Sequence, residues 1–265
     1  MGLPEFEFVI ADEFRPCRLD ADSVGTALEM TGPSRANFIG WRRSLQANDN
    51  RVCKKDQFPS VTAIILAAGE SRRMGAQKVL LPFGGVTVLE QIVEVLHRGG
   101  ADEIVVVTGH LSDRVGAVLQ NTAARPVVNP DYLTGMLSSV RCGMRASAPD
   151  TQAWLIALGD QPSIRPEVVA AVIAEFRRSG NERGVIVVPT FAGKRGHPLL
   201  FSQHFRDDVL LRLDAAGLRG LLSAHPDQVI ELAVNACEIL RDMDYPSDYQ
   251  FELAARRTAA DAPRS

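Results

Sequence analysis

The chain has 265 residues, 46% of them apolar and 23% charged, with a formal net charge of −3. That length supports one α/β domain of about 200 residues plus an extension, or two small domains, and in either case a sizeable core. The near-neutral balance argues against a nucleic-acid footprint, no apolar run is long enough to span a membrane, and Cys17, Cys53, Cys142 and Cys237 are too scattered for a zinc motif or a disulfide framework.

Residues 1–58 mix acidic, basic and small polar residues without sustained periodicity. They are expected to be a poorly ordered extension, with a docked arm or a mis-assigned start codon as alternatives. No basic flank precedes an apolar stretch, so no secretory signal is seen and the cytoplasm is the expected location. At Val61 the character changes. Val61 to Leu66 is a continuous apolar run, the mark of a strand buried on both faces. Ile104 to Thr108, Arg125 to Val128, Trp154 to Leu158 and Val185 to Val188 repeat it. Between them, Val88, Ile92, Val95 and Leu96 share a helical face, as do Val115, Val118 and Leu119, and then Val168, Val169, Val172, Ile173 and Phe176. Alternating strands and helices predict a three-layer αβα fold with a mostly parallel sheet, whose ligands gather at the carboxyl ends of the strands. Beyond Val188 the alternation loosens. Pro198 to Phe201 and Val229 to Leu232 are expected strands, and Leu218 to Ala224 a short helix. The domain is expected to occupy residues 59–255, with residues 256–265 a polar tail that frays.

Directly after the first strand comes Leu66-Ala67-Ala68-Gly69-Glu70-Ser71-Arg72-Arg73-Met74-Gly75-Ala76-Gln77-Lys78. Small residues let a backbone approach a ligand, successive amides can form an anion-binding nest, and Arg73 and Lys78 add positive charge. A surface turn with two solvated cations is the alternative reading of the same residues. The spacing is neither that of the dinucleotide fingerprint nor that of the P-loop.

This run resembles the signature of the MobA-like nucleotidyltransferases, approximately LAxGxSxRMGxxK, and each fixed position is met. The resemblance implies a nucleotide-diphospho-sugar transferase-like fold. It also implies that Leu66, Ala67, Ala68 and Gly69 lie along a nucleotide and that Arg73 and Lys78 contact its phosphates. The Ala67-Ala68 pair is more similar to the cytidylyltransferase members than to the guanylyltransferases.

Trp154 to Leu158 ends in Gly159-Asp160-Gln161-Pro162. An aspartate at a strand's carboxyl end sits where such sheets bind ligands, and a carboxylate beside a triphosphate needs a cation between them. A turn or cap role for Asp160 is the plainer alternative. The family carries a similar sequence here with the aspartate on the metal. Asp242-Met243-Asp244-Tyr245-Pro246 resembles its closing motif, which implies Asp244 as the partner ligand; Tyr245 replaces a usual threonine and Ser247 a usual glutamate. Asp242 and Asp248 are expected to be structural.

Asn129 to Ser139 resembles the segment that packs against the nucleotide, implying Ser138 as a contact, and Gly109, before His110, matches a nucleotide-side pair. Gly193 to Pro198 resembles the acceptor-side GxxGHP segment, implying Gly196 and His197 on the acceptor. For both histidines, loop ordering is an equal alternative. Taken together, the resemblance implies Mg²⁺ held by Asp160 and Asp244, with Arg73, Lys78 and Asp160 catalytic. CMP would pass from CTP to the phosphate of a molybdopterin-type cofactor with release of pyrophosphate, and a xanthine-dehydrogenase-family apoenzyme is a possible recipient of the product. GTP or another acceptor, a flavin- or nicotinamide-dependent oxidoreductase on the same fold, and a non-catalytic cofactor carrier are the competing readings.

Overall fold

The computed structural model describes residues 59–179, 183–213 and 216–261, and the extension expected over residues 1–58 lies outside them. The chain opens with β1 (Val61–Ala67). A two-residue hairpin follows, β2 (Pro82–Phe83) with β3 (Val86–Thr87). Next come α1 (Val88–Arg98), β4 (Glu103–Thr108), α2 (Ser112–Leu119), β5 (Ala124–Val128), α3 (Met136–Ala146), β6 (Ala153–Leu158) and α4 (Pro166–Ser179). The remainder holds β7 (Ile186–Phe191), β8 (Lys194–Arg195), β9 (Leu199–Ser202), α5 (Leu218–Ala224), β10 (Val229–Ala233) and α6 (Pro246–Asp261).

The long strands lie in the order β10-β7-β9-β6-β1-β4-β5. β1 is central and parallel to both β4 and β6. Its side chains alternate between two cores: Val61, Ala63, Ile65 and Ala67 join the cluster under α1, α2 and α4, while Ile64 joins the cluster under α3 and α5. Both faces are therefore covered, and an alternating strand appears in the sequence as an unbroken apolar run. α1 is launched by a capping box, with Thr87 Oγ accepting from the Glu90 amide at 3.2 Å and the Glu90 carboxylate accepting from the Thr87 amide at 2.7 Å.

Two features differ from the sequence expectation. β9 is antiparallel to both β6 and β7. The cause is local: Ala192 and Gly193 both have positive φ, 49° and 74°, between the paired residues Phe191 and Lys194. Positive φ at both central residues is the condition for a tight type I′ hairpin, which turns the chain back without a helical crossover. The polar tail placed from Arg256 is instead the last turns of α6, which continues to Asp261. Arg256 packs over the Phe83 ring at 4.7 Å from its centroid and donates to the Gln91 side-chain oxygen, so the polar sequence there is the outer face of a docked helix.

Candidate functional site

β1 lies between β4 and β6; the chain runs outward from it to β4 and β5 past α1 and α2 on one face and returns to β6 past α3 on the other, so its carboxyl end is the point where the sheet's strand order reverses. Register brings three strand ends together there, with Leu66 opposite Leu158 and Ala67 opposite Thr108. The Gly159 amide donates to the Leu66 carbonyl at 3.1 Å. A Cβ on Gly159 would stand 2.7 Å from that oxygen and 3.0 Å from Val79. Glycine alone lets the end of β6 close onto the loop after β1, and the next residue, Asp160, is thereby delivered to the loop's mouth. The loop is braced internally. Ser71, at φ 52°, donates from Oγ to Gln77 Oε1 at 3.1 Å and accepts from the Lys78 amide at 3.1 Å. Met74 is buried beneath the turn, and Gly75 closes it at φ 69°.

The result is a pocket of about 300 Å³ with Leu66, Ala67, Gly69, Arg73 and Lys78 on its loop side and Asp160 and Asp244 opposite. Lys78 Nζ bridges the two carboxylates, 2.8 Å from Asp160 Oδ2 and 2.9 Å from Asp244 Oδ1. Arg73 Nη1 lies 2.9 Å from the other Asp244 oxygen and packs over the Tyr245 ring at 6.0 Å. Lys78 is only 15% exposed and Arg73 65%, so the lysine bridge is the stronger contact and the arginine pair is weakened by solvent. The two aspartate segments are tied together by the Met243 amide, which donates to the Asp160 carbonyl at 3.0 Å. Asp248 accepts from the Asp244 and Tyr245 amides at 3.0 and 2.8 Å and so fixes the second segment, the structural role expected of it.

Charges in this pocket shape one another. Burial pulls the Lys78 ammonium down, but Asp160 and then Asp244 outweigh it and hold the group above its ordinary value. The hydrogen bond from Lys78, opposed by burial and aided by Arg73, holds Asp244 below the ordinary carboxylate value. Asp242 is pushed up by burial and by the charge of Asp160, against the 2.7 Å hydrogen bond from Gln161. Asp160 Oδ1 is buried and has no hydrogen-bond partner among the described residues. A buried carboxylate oxygen with no donor is costly unless a cation takes it.

A second cleft, of about 1030 Å³, lies against Ile156 of β6, Val188 of β7 and Leu199 at the amino end of β9 and is flanked by α3 and α5. Gly196 and His197 line it. Gly196 packs so closely on the Ile239 carbonyl that a Cβ would stand 2.4 Å from that oxygen. The His197 amide donates to the same oxygen at 3.1 Å. Burial holds His197 below its ordinary value, Asp160 opposing and Arg219 adding to the effect. His197 thus lines the larger cleft within electrostatic reach of both Asp160 and Arg219.

Three of the expected nucleotide contacts, Ala68, Gly109 and Ser138, are not among the residues that line the smaller pocket. Ser138 lines the larger cleft, with its Oγ within donating distance of the Asp131 and Gly135 carbonyls (3.0 and 2.8 Å) and accepting from Asn129 at 2.9 Å. That hydroxyl secures the entry to α3. Gly109 is a packing position, where a Cβ would meet the Tyr132 ring at 2.6 Å, and Ala68 turns its carbonyl to the His110 amide at 3.2 Å. Sequence reasoning missed the Ser71–Gln77 brace, the contact that requires Gly159, and Arg219 on the rim of the cleft. A polar pair six residues apart within a glycine loop was the available signal for the first; the other two depend on distant segments.

A covered parallel sheet with a braced anion loop and facing carboxylates at its switch point defines a nucleotide-binding α/β protein of the nucleotide-diphospho-sugar transferase fold. Residues 63–229 match the MobA-like NTP transferase domain, and the chain belongs to that family. It is 33% identical over 173 residues to nicotine blue oxidoreductase of Paenarthrobacter nicotinovorans, covering 64% of this chain and 84% of the relative. It is 27% identical over 191 residues to molybdenum cofactor cytidylyltransferase of Escherichia coli K12, covering 72% and 94%. Among solved structures it is similar to Rv0371C of Mycobacterium tuberculosis H37Rv in complex with manganese, at 27% identity and a TM-score of 0.62, over 74% of this chain and 99% of that one. Among the described residues no helix is long and apolar enough to cross a membrane.

Proposed function

We propose that the protein transfers CMP from CTP to the phosphate of a molybdopterin-type cofactor with release of pyrophosphate, and that the reaction depends on a divalent cation, Mg²⁺ by preference. The observation that carries the reading is the group at the mouth of the loop: two carboxylates converging on one lysine, with Asp160 Oδ1 buried and without a donor. Asp160 and Asp244 are the residues that would hold the cation. Among the described residues no group of three or more His, Cys, Asp or Glu is placed to hold a metal, so the remaining ligands would be phosphate oxygens and water. When bound, the cation would offset the charge that builds on the α-phosphate and the leaving pyrophosphate. The likeness to a manganese-bound neighbour and to a cytidylyltransferase supports this assignment.

The chain's own residues do the rest. Amides of the loop between Ala67 and Lys78 cradle phosphate oxygens. Lys78 and Arg73 neutralise them. The acceptor comes from the His197 side, and one of its phosphate oxygens attacks the α-phosphorus in line as pyrophosphate leaves. A phosphate is already a nucleophile, so no side chain need remove a proton, and catalysis rests on positioning and electrostatics.

A second reading, an oxidoreductase on the same fold, is favoured by the 33% identity to nicotine blue oxidoreductase. One experiment separates the two. Purified protein is given Mg²⁺, molybdopterin loaded with molybdenum, and CTP, GTP, ATP or UTP in turn, and pyrophosphate is measured; NADH and NADPH oxidation is followed in parallel with a dye acceptor. Pyrophosphate with CTP, lost in Asp160→Asn, supports the transferase. Reductant consumption without pyrophosphate from any triphosphate sinks it.

A further inference from the structure

The larger cleft carries a charge pattern that the nucleotide reading does not use. Its walls are apolar, with Met136 and Leu137 from α3, Leu199 from β9, and Leu218 and Leu222 from α5. Among the described residues its lining contains three arginines and no carboxylate. Two of the three are committed. Arg141 donates to the Val209 and Leu213 carbonyls at 2.8 and 2.6 Å, which pins the wall opposite α3. Arg195 pairs with Glu231 at 2.7 Å. Arg219 has no hydrogen-bonding or ionic partner for its side chain among the described residues, and it shares the cleft lining with His197. An arginine fork left open beside apolar walls matches an anion carried on an uncharged body. At about 1030 Å³ the cleft has room for a drug-sized ligand.

Resting on the acceptor reading above, we propose that this cleft binds a phosphomonoester on a flat heteroaromatic ring system and that Arg219 takes its phosphate. The arginine then selects phosphorylated over unphosphorylated acceptors. This makes Arg219 a specificity residue for the second substrate only. It has no part in binding the triphosphate.

Equilibrium dialysis of the full chain, without triphosphate, tests it with two probe pairs: molybdopterin against its phosphatase-treated form, and riboflavin 5′-phosphate against riboflavin. Wild type is expected to hold the phosphorylated member of at least one pair about tenfold or more tighter, the range of a charge-assisted hydrogen bond to an open arginine. Arg219→Gln removes that preference and leaves the unphosphorylated member's Kd within about twofold, since its contacts are apolar; Arg219→Lys recovers part of it. The Kd for CTP with Mg²⁺ verifies that each variant is folded. A preference confined to riboflavin 5′-phosphate supports the cleft assignment while removing molybdopterin as the acceptor. A preference that survives Arg219→Gln, or none in either pair, overturns the inference.

Discussion

The pocket over the β1 loop is about 300 Å³ and crowded with charge, whereas the cleft beside it is about 1030 Å³, walled by leucines and methionine, with arginine as its only charged residue type among those described. The first is assembled from residues brought together by strand register and by the close contact of Gly159 with the Leu66 carbonyl, and its charges compensate one another. The second is assembled from side chains of α3, β9 and α5 and keeps one cation without a partner among the described residues. A site that must bring phosphates and carboxylates together needs fixed positions within a fraction of an ångström. A site that must accept a bulky partner needs area and one orienting charge. The two halves should therefore fail in different ways when mutated.

Replacing Asp160 by Asn should have the largest effect, lowering turnover by about 10²–10³-fold, as for loss of one preorganised electrostatic group, while acceptor binding stays near wild type. Steady-state pyrophosphate release and acceptor dialysis measure the two quantities, and parallel loss of both would mean the clefts are not separate. Next in size are two glycine substitutions that sharpen the contrast. Gly159→Ala places a Cβ 2.7 Å from the Leu66 carbonyl and Gly196→Ala places one 2.4 Å from the Ile239 carbonyl. Each should cost about 1–3 kcal/mol of stability by overpacking, read from denaturant midpoints. The first should raise KM for CTP and the second KM for the acceptor; the reverse pattern would exchange the roles assigned to the clefts.

The smallest expected effect is a pH dependence centred on His197 in the larger cleft. Burial holds His197 below its ordinary value of 6.5, so the folded chain resists a proton that the unfolded chain accepts. Its contribution to stability is complete above pH 6.5 and is lost as pH falls from there through the folded value. Denaturation midpoints of wild type and His197→Gln should therefore converge as pH falls through that window, and parallel curves would remove His197 from the account.

Much of this was legible in the sequence because it is local. The run from Val61 to Leu66, the loop through Lys78 and the Gly159-Asp160 strand end each occupy one short segment, and a central strand buried on both faces leaves an unmistakable apolar record. Asp244 was legible only through its motif, since nothing near it in sequence shows that the Met243 amide bonds to the carbonyl of the distant Asp160 or that Lys78 will bridge both aspartates. β9 was found as a strand but not as an antiparallel one, because a four-residue apolar run has no direction and its orientation is set by the turn at Ala192 and Gly193. Residues 256–261 were taken from the helix because their polar face dominates, whereas Arg256 packs through its aliphatic stem and guanidinium plane.

The Lys78 bridge has one consequence for the order of events. Without ligands the pocket is already at electrical balance, Lys78 and Arg73 against Asp160 and Asp244, so neither pair is idle. On the function proposed above, a triphosphate arriving alone would meet cations already paired, and a divalent ion arriving alone would meet carboxylates already sharing a lysine. Arriving together they would allow a swap of partners in which no charge is left stranded, the aspartates passing to the ion and the lysine and arginine to the phosphates. The pocket would then act as a latch with two keys, held against either one by the same lysine that serves both.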